Sequence, residues 1–117
     1  MGIKREYLDA GHVDFKGITT GRRLAPVPPG EILHADFLEP LGLSVYTLAN
    51  DLKVPRSRMN DIVLGRRAIT TDTALRLARY FGTSPEFWIN LQTHYDLEMA
   101  KTTIKPAIER DVSPRAA

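Results

Sequence analysis

The stretch VPRSRMNDIVLGRRAIT, residues 54–70, decides how this chain is read. Met59, Ile62 and Val63 recur at helical spacing, so one side of a short helix is buried. Pro55 suits a helix start, having a fixed φ and no donor to waste, and Gly65 suits a left-handed stop. The spacing predicts a helix over residues 56–64. Projected at about 100° per residue, it turns Ser57 and Asp61 most directly away from the buried side. Arg58 and Asn60 flank that outer face, and Arg56 stands at the N-terminal end with a long reach. Such side chains address base edges: Arg pairs with guanine, Asn with adenine, and Asp accepts from cytosine. Arg56, Ser57, Arg58, Asn60 and Asp61 are therefore candidate base-reading residues. Arg66 and Arg67, just past the helix, suit the phosphate backbone. The alternative is a solvated face, in which Arg58 and Asp61 form a surface ion pair three residues apart and Arg66 and Arg67 complement the helix dipole.

Working outward, SVYTLANDLK (residues 44–53) reads as a shorter helix capped by Ser44, with Leu48, Ala49 and Leu52 buried. Lys53 and Val54 make a tight connection to the helix at 56–64. Two short helices joined by such a turn form a helix-turn-helix, whose second member lies in the major groove. Ala49 is small enough for close approach, and Leu52, Val54 and Ile62 fill the wedge between the helices. Both are too short to stand alone, so packing on neighbours must order them.

Those neighbours are legible too. PPGEILHADFLEPLG (residues 28–42) reads as a first helix with Leu33 and Phe37 inward, stopping before Pro40. TTDTALRLARYFG (residues 70–82) is a fourth, capped near Thr70 or Thr71 and closed by Gly82. It turns Ala74, Leu77, Ala78 and Phe81 inward, with Leu75 alongside. A fifth starts at Ser84-Pro85-Glu86 and carries Phe87, Trp88, Leu91 and Tyr95 toward the core. Unpaired N–H groups at the starts of helices two and four also suit phosphate. Residues 1–25 show no sustained period and read as an irregular arm, and residues 101–117 as a loose tail. No segment alternates with period two for long. The expected fold is all-α: a compact five-helix repressor-type domain at residues 26–100 containing a helix-turn-helix.

A chain of 117 residues has room for one domain with a modest core. It has no cysteine, which excludes disulfides and Cys-type metal sites. No run approaches the roughly 20 apolar residues of a membrane span, and the N-terminus resembles neither a secretory signal nor a myristoylation site. A soluble cytoplasmic protein with no membrane contact is expected. The net charge of +2 hides a segregation. Residues 28–52 hold four acids and no Lys or Arg, residues 53–79 seven basic residues against Asp61 and Asp72, and residues 84–100 are net −3. A basic block between acidic ones is the electrostatic footprint of a nucleic-acid binder. Catalysis is not expected: His12, His34 and His94 sit at no metal-ligand spacing, and no phosphate loop or catalytic triad stands out. No cofactor is implied.

The blocks PPGEILHADFLEPLGLS, LANDLKVPRSRMNDIVLGRRAIT, TALRLARYFGTSPEFWINLQ and YDLEMA together resemble the HigA (VapI-like) antitoxins, a branch of the phage-repressor-type helix-turn-helix superfamily. The match covers about residues 27–100. The resemblance implies a homodimer that binds an inverted repeat of double-stranded DNA in its own promoter. It also implies direct silencing of a HigB-like toxin, an mRNA endonuclease. By position, Arg56, Ser57 and Asp61 match the principal base-reading positions, and Arg58 and Asn60 their flanks. Ser44, Arg66, Arg67, Thr70 and Thr71 match backbone-contacting positions. Two departures stand out: Val45 where many relatives carry Gln, and Lys53 where the turn usually has Gly. In the arm, Tyr7, Leu8, Val13, Phe15 and Ile18 are candidates for the toxin surface, or belong to a leader without a role. Helix five and the tail are the candidate dimer interface. A stand-alone transcriptional regulator using the same helix-turn-helix is the rival reading.

Overall fold

The computed structural model describes residues 26–116; the arm and its candidate toxin contacts lie outside them. Among the described residues the chain is helical throughout, with six helices and no strand. Helix α1 is a composite: Pro29–Ile32 is α-helical, Leu33–Leu38 is π-helical, and Glu39–Leu41 is α-helical again. Then follow α2 (Val45–Leu52), α3 (Arg56–Val63), α4 (Thr71–Phe81), α5 (Pro85–Thr103) and α6 (Lys105–Asp111).

The caps explain most of these boundaries. Ser44, Thr70 and Ser84 each accept a backbone N–H three residues on, at 3.0, 3.4 and 3.1 Å, and so start α2, α4 and α5. Gly42, Gly65 and Gly82 adopt positive φ and close α1, α3 and α4. At α1 the expected stop before Pro40 is corrected. In a regular α-helix the Pro40 ring would collide with the Asp36 carbonyl. Widened turns accommodate it instead: Glu39 N–H reaches back five residues to His34 O, and the helix runs on to Leu41.

The core is a single cluster drawn from α1 to α5. Its centre is aromatic: Phe37 packs against Phe81, Trp88 and Phe87 at ring-centroid separations of 5.0, 4.9 and 6.1 Å. Trp88 is fully buried and its indole N–H donates to Thr83 Oγ1 at 2.8 Å. Leu48, Ala49, Leu52, Met59 and Ile62 join from the helix-turn-helix, with Val54 and Val63 at its margin. Leu75 is a correction, because it is 53% exposed; the buried stripe of α4 is narrower, Thr73, Ala74, Leu77 and Ala78. The tail is another. Here α5 continues to Thr103, and Pro106 in its first turn helps start α6. Ile104 and Ile108, four apart among charges, are too sparse to register as a helical stripe.

One close approach sets the position of the helix-turn-helix. Gly30 lies against the backbone of α3, and a Cβ there would overlap the Ile62 carbonyl and crowd the Val63 Cα. Gly30→Ala is therefore expected to destabilise the fold by about 2 kcal/mol or more, from overpacking against backbone that cannot rotate away. Gly42→Ala, which meets no atom but keeps positive φ, is expected to lose only about 1 kcal/mol. Urea denaturation of both variants checks the order, and equal losses would refute the close-approach account.

Candidate nucleic-acid interface

The turn between α2 and α3 is closed as the glycine turns are, but by a lysine. Lys53 takes φ 62° and ψ 45°, the sole non-glycine with positive φ among the described residues. Lys53 N–H donates to Asn50 O at 3.2 Å, and Val54 N–H donates to Ala49 O at 3.1 Å. This closure turns Val54 onto the core and leaves Pro55 extended, ready to begin α3. At the far end of α3, Gly65 N–H bonds Ile62 O and Arg66 N–H bonds Asp61 O, at 3.0 and 2.7 Å. Arg66 and Arg67 are thereby fixed just beyond the helix end, both exposed.

The sequence-derived residues do not all share one environment. Arg56, Ser57 and Asn60 are exposed and line one shallow cleft with Val45 of α2. The Arg56 guanidinium sits 5.3 Å from the Tyr46 ring centroid, a cation–π contact that steadies a long side chain. Asp61 is half-buried, with Oδ2 3.8 Å from Arg67 Nη2. Arg58 is also half-buried and is turned toward α4, where its Nη1 donates to Asp72 Oδ2 at 2.8 Å. The Arg58–Asp61 pair considered from the sequence is thus replaced by two others, Arg58–Asp72 and Arg67–Asp61. Ser44 and Thr70 use their hydroxyls as caps, and Thr71 opens α4; all three are exposed.

Sequence reasoning missed a polar strut behind this face. Arg76 Nε donates to the same Asp72 oxygen at 3.0 Å, and its Nη1 donates to the Leu52 carbonyl at 2.9 Å, satisfying an open acceptor at the end of α2. The hydrogen bonds from Arg76 and then Arg58 hold the Asp72 carboxyl below its ordinary pKa. Tyr80 donates its hydroxyl to Asp51 Oδ2 at 2.6 Å, which raises the tyrosine pKa. Gln92, buried in α5, accepts the Ile69 N–H at 2.8 Å and donates to Asp96 at 2.9 Å. Only Asp72–Arg76 and Gln92–Asp96 have the local i,i+4 spacing. The other partners are 14 to 29 residues apart. Among the described residues no cluster of His, Asp or Glu is placed to hold a metal ion, and no helix is long and apolar enough to cross a membrane.

Comparison with known proteins fits this geometry. A helix-turn-helix family matches residues 35–88, spanning α1 to the start of α5. The structure of an addiction-module antidote protein of the HigA family from Coxiella burnetii superposes with a TM-score of 0.73 at 46% identity, over 79% of this chain and 100% of that one. This chain belongs to the HigA-like antitoxins of the helix-turn-helix superfamily. Two further relatives agree. Virulence-associated protein I of Dichelobacter nodosus is 52% identical over 85 residues, 72% of this chain and 79% of that protein. The Pseudomonas aeruginosa antitoxin HigA, solved with the higBA promoter, is 44% identical with a TM-score of 0.75, over 78% of this chain and 99% of that one. HigA-like proteins are DNA-binding antitoxins and regulators and are not a class of enzymes.

The lysine turn makes a prediction for this HigA-like chain. Left-handed backbone costs a residue with a Cβ about 1 kcal/mol relative to glycine. Lys53→Gly is therefore expected to raise the unfolding free energy by up to that amount in a urea titration. A fall in stability would show that the lysine side chain contributes more than its backbone costs.

Proposed function

We propose that this protein is a cytoplasmic antitoxin that acts as a homodimer on an inverted repeat in its own promoter. There it represses transcription of itself and its neighbour. Separately, it neutralises a HigB-like mRNA endonuclease by direct contact. The observation that carries the DNA half is the outer face of α3: Arg56, Ser57 and Asn60 exposed together, with Arg66 and Arg67 fixed beyond it. In this reading Arg56, Ser57, Asn60 and Asp61 serve base recognition, Arg58 stays on Asp72 at the flank of that face, and Ser44, Arg66, Arg67, Thr70 and Thr71 meet phosphates. Val45 gives the reading cleft an apolar wall suited to a thymine methyl, in place of the polar contact that glutamine supplies in many relatives. Relatives solved with promoter or operator DNA support the DNA-binding reading as a whole.

A dimer would set two copies of α3 in successive major grooves, about 34 Å apart. Support for pairing comes from the C-terminal half of the molecule. Leu97, Ile104, Ile108 and Val112 are each more than half exposed along α5, α6 and the end of α6. Such a stripe favours a self-complementary contact between two copies, as in most symmetric dimers. Ile108→Glu is expected to shift sedimentation equilibrium from dimer toward monomer without unfolding the chain; an unchanged mass would remove the stripe from the interface.

The decisive experiment is binding to the duplex upstream of the gene beside a scrambled duplex at two salt concentrations. A preference that persists at the higher salt supports base reading, and equal, strongly salt-sensitive binding refutes it. Within that assay, Arg56→Ala is expected to lose about 1–3 kcal/mol and relax base preference. Arg67→Ala should weaken all duplexes alike and reduce the salt slope by about 1. For the toxin half, co-purification with the product of the neighbouring gene, and its loss of ribonuclease activity in the complex, is the check.

A further inference from the structure

Arg58 and Arg76 converge on one carboxylate oxygen, Asp72 Oδ2, at 2.8 and 3.0 Å. Their situations differ. Arg76 is anchored a second time on the Leu52 carbonyl and lies one turn along the same helix as Asp72. Arg58 comes from the recognition helix, and Asp72 is the acceptor its guanidinium meets. The Asp72 side chain is 55% exposed. If Arg58 leaves, Asp72 keeps Arg76, water and the favourable field of the α4 N-terminus, so no buried charge is orphaned.

This arrangement puts a carboxylate directly on one cation of the DNA-reading helix. We propose that Asp72 is a specificity-determining positioning residue, which acts through Arg58 by withholding that cation from the phosphates of arbitrary DNA. The inference rests on the DNA-binding reading above. Non-specific binding is almost wholly electrostatic, and a mobile cation in that mode finds a phosphate wherever the protein sits. In a registered complex, base contacts fix what each side chain can meet, so an extra mobile cation adds less. An Arg58–Asp72 pair that persists off the operator therefore lowers non-specific affinity more than operator affinity, and widens the ratio between them.

The test measures binding of the full chain to a scrambled duplex and to the upstream duplex across a salt series. Asp72→Asn is expected to tighten scrambled-duplex binding several-fold, steepen its log K against log salt slope by about 0.9, and narrow the preference for the upstream duplex. Arg58→Met alone should leave the scrambled-duplex slope where it was, because the withheld cation contributes nothing there. The double variant separates release of Arg58 from simple removal of a negative charge: its slope should return to the wild-type value. An unchanged slope in Asp72→Asn, or an equal steepening in the double variant, overturns the proposal. So does a flatter slope in Arg58→Met, which would mean that Arg58 already sits on phosphates. That last measurement stands even if Asp72→Asn fails to fold. A wild-type protein that shows no preference for the upstream duplex would instead overturn the DNA-reading assignment, whatever the slopes of the variants.

Discussion

The contact between Gly30 and the backbone of Ile62 is the constraint on which the arrangement of this molecule depends. It lets α1 rest directly on the C-terminal end of α3, with no side chain between the two backbones. That proximity brings Leu33 and Phe37 into the cluster that also buries Met59 and Ile62. Two helices of eight residues have little stability of their own. The recognition helix is held in place because α1 braces its far end, while the Arg76–Asp72–Arg58 strut braces it from α4.

The same economy of backbone runs through the turns. Four helix ends are closed by a left-handed residue followed by a backward hydrogen bond, at Gly42, Lys53, Gly65 and Gly82. Glycine makes three of these closures without strain. The fourth lies where α2 turns into the recognition helix, and places a cation there instead of the conformationally easiest residue. Local strain at a binding face, compensated by a well-packed core on either side, is a common division of labour in small recognition domains.

Helix starts and the centre of the core were legible because their signals are local. Ser44, Ser84, Pro55 and Gly65 announce boundaries by their own chemistry, and Phe37, Leu48, Ile62, Leu77 and Trp88 recur at helical spacing. Three kinds of feature were not. Pro40 carries a stop signal that widened turns upstream override. Leu75 sits beside a buried stripe narrower than its period suggests. The functional face was legible in composition but not in pairing, because Arg58 and Arg67 choose partners that the folded chain supplies. Asp72 lies on another helix, and Asp61 lies around a turn. Tyr46 carried no signal at all beyond an aromatic in an outward position, and its partnership with Arg56 exists only once the turn is made.

Gln92 has a mechanical consequence. Its amide oxygen holds the Ile69 N–H, so the loop carrying Arg66 and Arg67 is riveted to α5. The same helix runs on toward the apolar stripe at the other end of the molecule. Whatever grips that stripe therefore holds a lever whose near end is fastened to the loop of Arg66 and Arg67. In the proposed dimer, a register slip of a single helical turn at the grip, about 5.4 Å, would shift the two loops relative to each other by a similar distance. That displacement approaches the distance between neighbouring phosphates. In that dimer, operator spacing would be written far from the residues proposed to touch DNA.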